Sequence, residues 1–253
     1  AAAAQARDKI LTAATERVVE DGQPERLDHR GALGQLGGRG GGIDSVQDGG
    51  DDGDPGGAGV EDIPGVVMVD GLPWHWETFP EFLDAVEARP HDIDVAAFLP
   101  HSPLRVYVMG QRGVDREVPT GEDLALMRKL AEEAVRAGAL GFASSRLTLH
   151  KTAGGQPIPS YEAEYAEIEA IARGVDDAGG GLLQFVPDLM AGDYEGALKA
   201  VFDVASEVGL PVTFTLAIGN AGPPIHLDAL RMVEKANSDG GDVTGQIFPR
   251  PIG

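Results

Sequence analysis

The run DVAAFL (94–99), the stretch GEDLALMRKLAEEAVRAG (121–138) and the run ALGFAS (139–144) read as strand, helix and strand. Both short runs are almost continuously apolar, as strands buried on two faces should be. The stretch between them has the amphipathic spacing of a helix. Thr120 stands where an N-cap belongs, with Asp123 three residues on, and Gly138 is a plausible C-terminal stop.

The same alternation continues downstream. Further apolar runs are GLLQFV (181–186), PVTFTLAI (211–218) and DVTGQIF (242–248). Helical patterns lie between them at 162–179, 193–209 and 226–240, and PEFLDAVEA (80–88) precedes the first strand. Gly179 and Gly209 close two of these helices. The repeat, roughly 30 to 45 residues long, implies parallel strands joined by right-handed crossovers, because each strand needs a helix to return to the same end of the sheet. The expectation is an α/β fold, an incomplete TIM-like (β/α) barrel of about five βα units, short of the full (β/α)8 closure.

Upstream of Val60 the chain changes character. Residues 5–20 carry Ile10, Leu11, Ala14, Val18 and Val19 on one broad helical face, and residues 31–59 are dominated by Gly and Asp. That stretch has too little to bury to offset its ordering entropy, so it is expected to be disordered. It lacks the D-x-[DN]-x-[DN]-G pattern of a calcium loop. The domain reading is therefore 1–59, an Ala-rich helix and a Gly/Asp-rich segment, and 60–253, a partial barrel. The Ala-, Gly-, Arg- and Asp-rich composition of the first 59 residues also fits GC-rich coding sequence read in a wrong frame.

Composition narrows the function. The chain has 253 residues, a formal net charge of −21 and a pI near 4.5. Such acidity argues against nucleic acid or an anionic membrane as partner. With no cysteine there is no disulfide, thiolate nucleophile or Cys-based metal site, and the expected compartment is the cytoplasm. No run approaches the ~20 apolar residues of a membrane span.

Barrel chemistry gathers at the carboxyl ends of the strands. There the sequence offers His101, Ser102 and Arg105 after the first strand, then Ser144, Ser145, Arg146 and His150 after the second. The later strands offer Gln184 and Asp188, Thr215 and Asn220, and Gln246 and Arg250. The binding candidates are His101, Arg105, Ser144, Ser145, Arg146, Gln184 and Arg250. His101 reads either as a hydrogen-bonded loop residue or as part of a site. The arginines could clamp a carboxylate or pair with one of the many acids. The serines need a nearby base to act as nucleophiles, and no G-x-S-x-G elbow is present. His150 reads as a surface turn residue. His75, between Trp74 and Trp76, reads as part of a packing anchor, with a ligand lid as the other option. There is no H-x-H, H-E-x-x-H, P-loop or dinucleotide fingerprint. No catalytic residue and no metal ligand is identified.

Three stretches carry a family resemblance: VEDIPG (60–65), GLPWHWETFPEFLDAVEARPHDIDVAAFLPHSPLRVYVMG (71–110) and AGALGFASSRL (137–147). Over residues 60–253 the chain resembles the D-aminoacylase branch of the amidohydrolase superfamily. The resemblance implies a metal-dependent barrel that hydrolyses the amide of N-acyl-D-amino acids, using zinc-activated water and an Asp on the last strand. His101 and Arg105 correspond to the family's strand-end His-x-x-Leu-Arg, and Ser144 and Ser145 to its serine-rich strand end. The departures are severe. The family's H-x-H is expected upstream of Val60, its cysteine ligand has no counterpart, and its last strands and Asp are expected beyond Gly253. Where its later histidines belong, this chain has Gln184 or Phe185 and Thr215 or Leu216. The expectation is a fragment of an amide hydrolase, inactive alone, binding no zinc and prone to self-association through open sheet edges. The second expectation is a non-catalytic relative that binds a small carboxylate.

Overall fold

Helix caps are built where the sequence places them. In the computed structural model, which describes residues 76–152, 155–188, 193–216 and 225–247, helix α1 (Phe79–Glu87) opens on a capping box. Thr78 Oγ1 accepts from Glu81 N at 3.3 Å, and Glu81 Oε2 accepts from Thr78 N at 3.1 Å. Helix α4 (Gly121–Arg136) opens on the same device, Thr120 with Asp123, at 3.2 and 2.7 Å. The segments 5–20 and 31–59, and His75, Asn220 and Arg250, lie outside the described residues.

Between α1 and α4 run strand β1 (Leu99–Pro100), helix α2 (His101–Met109) and the short helix α3 (Gln111–Val114). Then follow β2 (Gly141–Ser145), α5 (Tyr165–Asp177), β3 (Leu182–Val186), α6 (Tyr194–Val208), β4 (Val212–Thr215), α7 (Ile225–Ser238) and β5 (Val243–Gln246). The five strands form one sheet in the order β1-β2-β3-β4-β5, every pair parallel. Chain order and sheet order coincide, so each helix carries the chain one strand further, which is the barrel connection expected from the sequence.

Two local expectations are corrected. The first strand, read from 94–99, is only Leu99–Pro100. Ile93 and Val95 are 77% and 53% exposed, so the run is unpacked at its start and buried only at Leu99, and Pro100 has no N–H for the ladder. The segment HSPLRVYVM, read as a strand-end loop, is helix α2. Pro103 falls in its first turn, where a missing N–H costs nothing, and buried Leu104 recurs with half-buried Tyr107 and Val108 at helical spacing.

The sheet is also less uniformly apolar than its sequence suggests. Phe142, Leu183, Phe185, Val212, Phe214 and Val243 are buried with helix residues Met127, Ile168, Ile171, Leu198 and Val201 in one core. Alternation therefore puts Ala143, Ser145, Leu182, Gln184, Val186, Thr213, Thr215, Thr244 and Gln246 on the opposite, more open face, where Thr213 is still buried. That face, expected to be apolar, carries hydroxyls and carboxamides beside Ala143, Leu182 and Val186.

Packing is closest where α4 crosses α5. A Cβ on Gly174 would stand 2.1 Å from the Arg128 carbonyl oxygen, so only glycine lets the two backbones approach this far. Gly209, with φ of 82°, ends α6 in the left-handed conformation. No helix among the described residues is long and apolar enough to cross a membrane.

Candidate functional site

Ser144 and Ser145 are neighbours at the carboxyl end of β2 and face opposite ways. Ser144 faces the helices and is buried, whereas Ser145 is half-buried on the open face.

On the helix side Ser144 belongs to a closed polar network. Its Oγ lies 2.8 Å from His101 Nδ1, and His101 Nε2 lies 2.8 Å from Glu167 Oε1. The other Glu167 oxygen accepts from Arg105 Nη1, and Arg105 Nη2 donates to the Glu117 carbonyl. His101 and Arg105 are each 2% exposed and Glu167 is fully enclosed. Phe142 closes one side, its ring edge-on to His101 with centroids 5.0 Å apart. Burial by itself pushes the Glu167 carboxyl up. The hydrogen bond from His101 and the charges of His101 and Arg105 outweigh it, and the group sits below its ordinary value. The Ser–His–Glu order mimics a hydrolytic triad. However, Ser144 is enclosed, and Arg105 holds the carboxylate as an ion pair.

On the open side, Ser145 Oγ lies 2.7 Å from His150 Nδ1 and accepts from Leu147 N at 3.2 Å. Thr148 Oγ1 donates to Asp188 Oδ1 at 3.1 Å, which links the loop after β2 to the end of β3. Gln184 pairs in register with Ala143 and Thr213, and Thr215 with Gln246. Arg146 does not reach this face freely. Its guanidinium lies 4.4 Å from the Tyr165 ring centroid, Nη2 donates to the Ala163 carbonyl and Nη1 to Tyr165 Oη at 3.2 Å.

The candidates thus divide into two groups. His101, Arg105 and Ser144 converge behind the sheet, whereas Ser145 and Gln184 stand on its open face, and Arg146 braces the loop between. Sequence reading missed Glu167 and Ser160, and took His150 as a surface residue apart from Ser145. Glu167 did leave a signal. It precedes Ile171 by one helical turn, so a carboxylate sits on the buried stripe of α5.

The described side chains of these strands do not fit a zinc ion. Gln184, Thr215 and Gln246 offer carboxamide and hydroxyl oxygens, poor zinc ligands beside imidazole or thiolate. Among the described residues, no group of three or more His, Cys, Asp or Glu could hold a metal ion.

A family model described as the amidohydrolase family matches residues 31–246, beginning upstream of the composition change at Val60. The D-aminoacylase of Alcaligenes xylosoxydans xylosoxydans is 30% identical over 147 residues, 58% of this chain and 28% of that protein. An uncharacterized protein of Mycobacterium bovis is 34% identical over 120 residues, 45% of this chain and 20% of that one. A crystal structure of D-aminoacylase superposes with a TM-score of 0.57 at 24% identity, covering 68% of this chain and 34% of that one. Another D-aminoacylase structure with the same figures is described by its binuclear metal center. The structural likeness shows the fold, and the chain spans about a third or less of the length of these relatives. The matched span takes in all five parallel strands and the helices between them, and on that match the chain belongs to the amidohydrolase family.

Proposed function

We propose that this chain is a sector of a barrel hydrolase acting on C–N amide bonds, similar to the N-acyl-D-amino-acid deacylases. In this reading residues 1–253 bind a small amide but do not turn it over. The observation that carries it is the polar open face. Ser145, Thr215 and Gln246 at the strand ends, where barrel sites form, and Gln184 in the middle of β3 present hydroxyls and carboxamides, which pair naturally with an amide N–H and C=O. Hydrolysis needs an activated water and a base to move its proton. Among the described residues of this face His150, beside Ser145, is the nearest to a base, and no group of side chains there would hold a metal ion to activate the water. The lack of cysteine supports a cytoplasmic setting, and the acidity supports a small-molecule partner over nucleic acid or membrane.

The second reading, a non-catalytic relative that binds a small carboxylate, is favoured by the missing imidazoles at the ends of β3 and β4. Of the three arginines that could clamp the carboxylate, Arg105 and Arg146 are already engaged and Arg250 lies outside the described residues.

Calorimetry with N-acetyl-D-amino acids, a deacylase assay with and without added zinc, and metal content after dialysis test both readings. The expected result is saturable binding weakened by Gln184→Ala, no hydrolysis above buffer, and well under one zinc per chain. Stoichiometric zinc together with turnover would overturn the first reading. Equal binding of the free carboxylate, abolished by Arg250→Ala, would favour the second.

A further inference from the structure

We infer that Glu167 is a positioning residue that, through His101 and Ser144, holds the carboxyl end of β2 so that Ser145 meets His150 on the open face. Two hydrogen-bond chains reach this strand end from behind. One runs from Glu167 through the His101 ring to the Ser144 hydroxyl, both links 2.8 Å. The other runs from Ser102 Oγ to Ser160 Oγ at 3.0 Å and from there to the Ser145 carbonyl at 3.2 Å. Ser160 N closes it by donating to Ser102 Oγ at 3.2 Å. Beside them, Arg146 N donates to the Val186 carbonyl at 2.9 Å, tying the strand end to β3.

The Ser144 hydroxyl and the Ser145 carbonyl lie on the two sides of the Ser145 Cα, so holding both restrains the two planar peptides that flank it and with them the direction of its side chain. Ser145 Oγ then lies 2.7 Å from His150 Nδ1, a contact with little tolerance for strand rotation. Arg105 completes the arrangement by pinning the second Glu167 oxygen, so the carboxylate cannot turn away from His101. A buried ion pair is a weak stabiliser compared with apolar residues of the same shape, so what it supplies best is a fixed geometry. The inference rests on the open-face reading only in counting Ser145 and His150 as part of the site, and its test needs no substrate.

The test is imidazole 15N NMR on the full chain, with Ser145→Ala defining the His150 signal that has lost the Ser145 hydroxyl. Glu167→Gln keeps the size of the side chain and removes its charge, while Ser144→Ala cuts only the last link. Both variants should move the His150 Nδ1 resonance toward its position in Ser145→Ala, at temperatures well below their melting points. A merely structural role predicts a lower melting temperature with His150 unmoved, and that result in Ser144→Ala would overturn the inference. If Glu167→Gln fails to fold, Ser144→Ala decides alone. Failure here leaves amide binding at Gln184 untouched, so the two readings fail separately.

Discussion

His101 Nε2 lies 2.8 Å from Glu167 Oε1 across 66 residues of sequence, joining the first turn of α2 to the first turn of α5 behind the sheet. Glu167→Ala leaves Arg105 as a buried charge without its partner and His101 without its acceptor. Removing one member of such a pair costs about 3–5 kcal/mol. Chemical denaturation measures it, and a loss below about 1 kcal/mol would mean that water or a neighbour replaces the carboxylate.

The same carboxylate gives the fold an acid limit. Its native pKa is held below the ordinary 4.5, because the His101 hydrogen bond and the His101 and Arg105 charges outweigh the upward push of burial. The unfolded chain therefore takes up this proton more readily than the folded one. The stabilisation is fully present above the ordinary carboxylate range and disappears as the pH falls through the lowered native value. Glu167→Gln should flatten this part of the stability–pH curve, with the gap to wild type narrowing toward acid. A gap that stays constant would contradict the assignment.

Gly174→Ala should destabilise by about 1–3 kcal/mol, as overpacked cores do. The added methyl meets the Arg128 carbonyl at 2.1 Å, and separating α4 from α5 loosens Met127, Ala131 and Ile171 together. Thermal melting reads this directly. Unchanged stability would mean that the two helices slide apart freely.

Thr120→Ala removes one half of the α4 capping box, the 3.2 Å bond from Asp123 N to the threonine hydroxyl. The expected loss is about 1 kcal/mol. Replacement by serine, which keeps the hydroxyl, should restore most of it in the same denaturation experiment.

Among the described residues, β1 and β5 each pair with one neighbour only, and Thr244, Gly245 and Gln246 of β5 are exposed. Unpaired strand edges are templates for further pairing. Residues 1–253 should therefore associate in a concentration-dependent way on gel filtration, and Thr244→Lys, which puts a charge on the edge strand, should reduce it. A monomer at all concentrations would show that something else protects these edges.

The sequence by itself determined the alternation of strands and helices, their approximate bounds and the parallel order. Those features follow from local periodicity, from caps such as Thr120 with Asp123, and from stops such as Gly209, all readable within a few residues. It also carried the family resemblance in its quoted stretches. Only the tertiary structure decided which face each strand residue takes, that HSPLRVYVM is a helix, and that His101, Arg105 and Ser144 meet Glu167 behind the sheet instead of opening into a site. A run such as LLQFV looks continuously apolar in one dimension, and burial separates Leu183 and Phe185 from Gln184 only once helices cover one side. The network depends on contacts 43, 62 and 66 residues apart. Periodicity could mark Glu167 as a buried carboxylate on α5 but not name its partners, because the pairings are set by how α2 and α5 seat on β2.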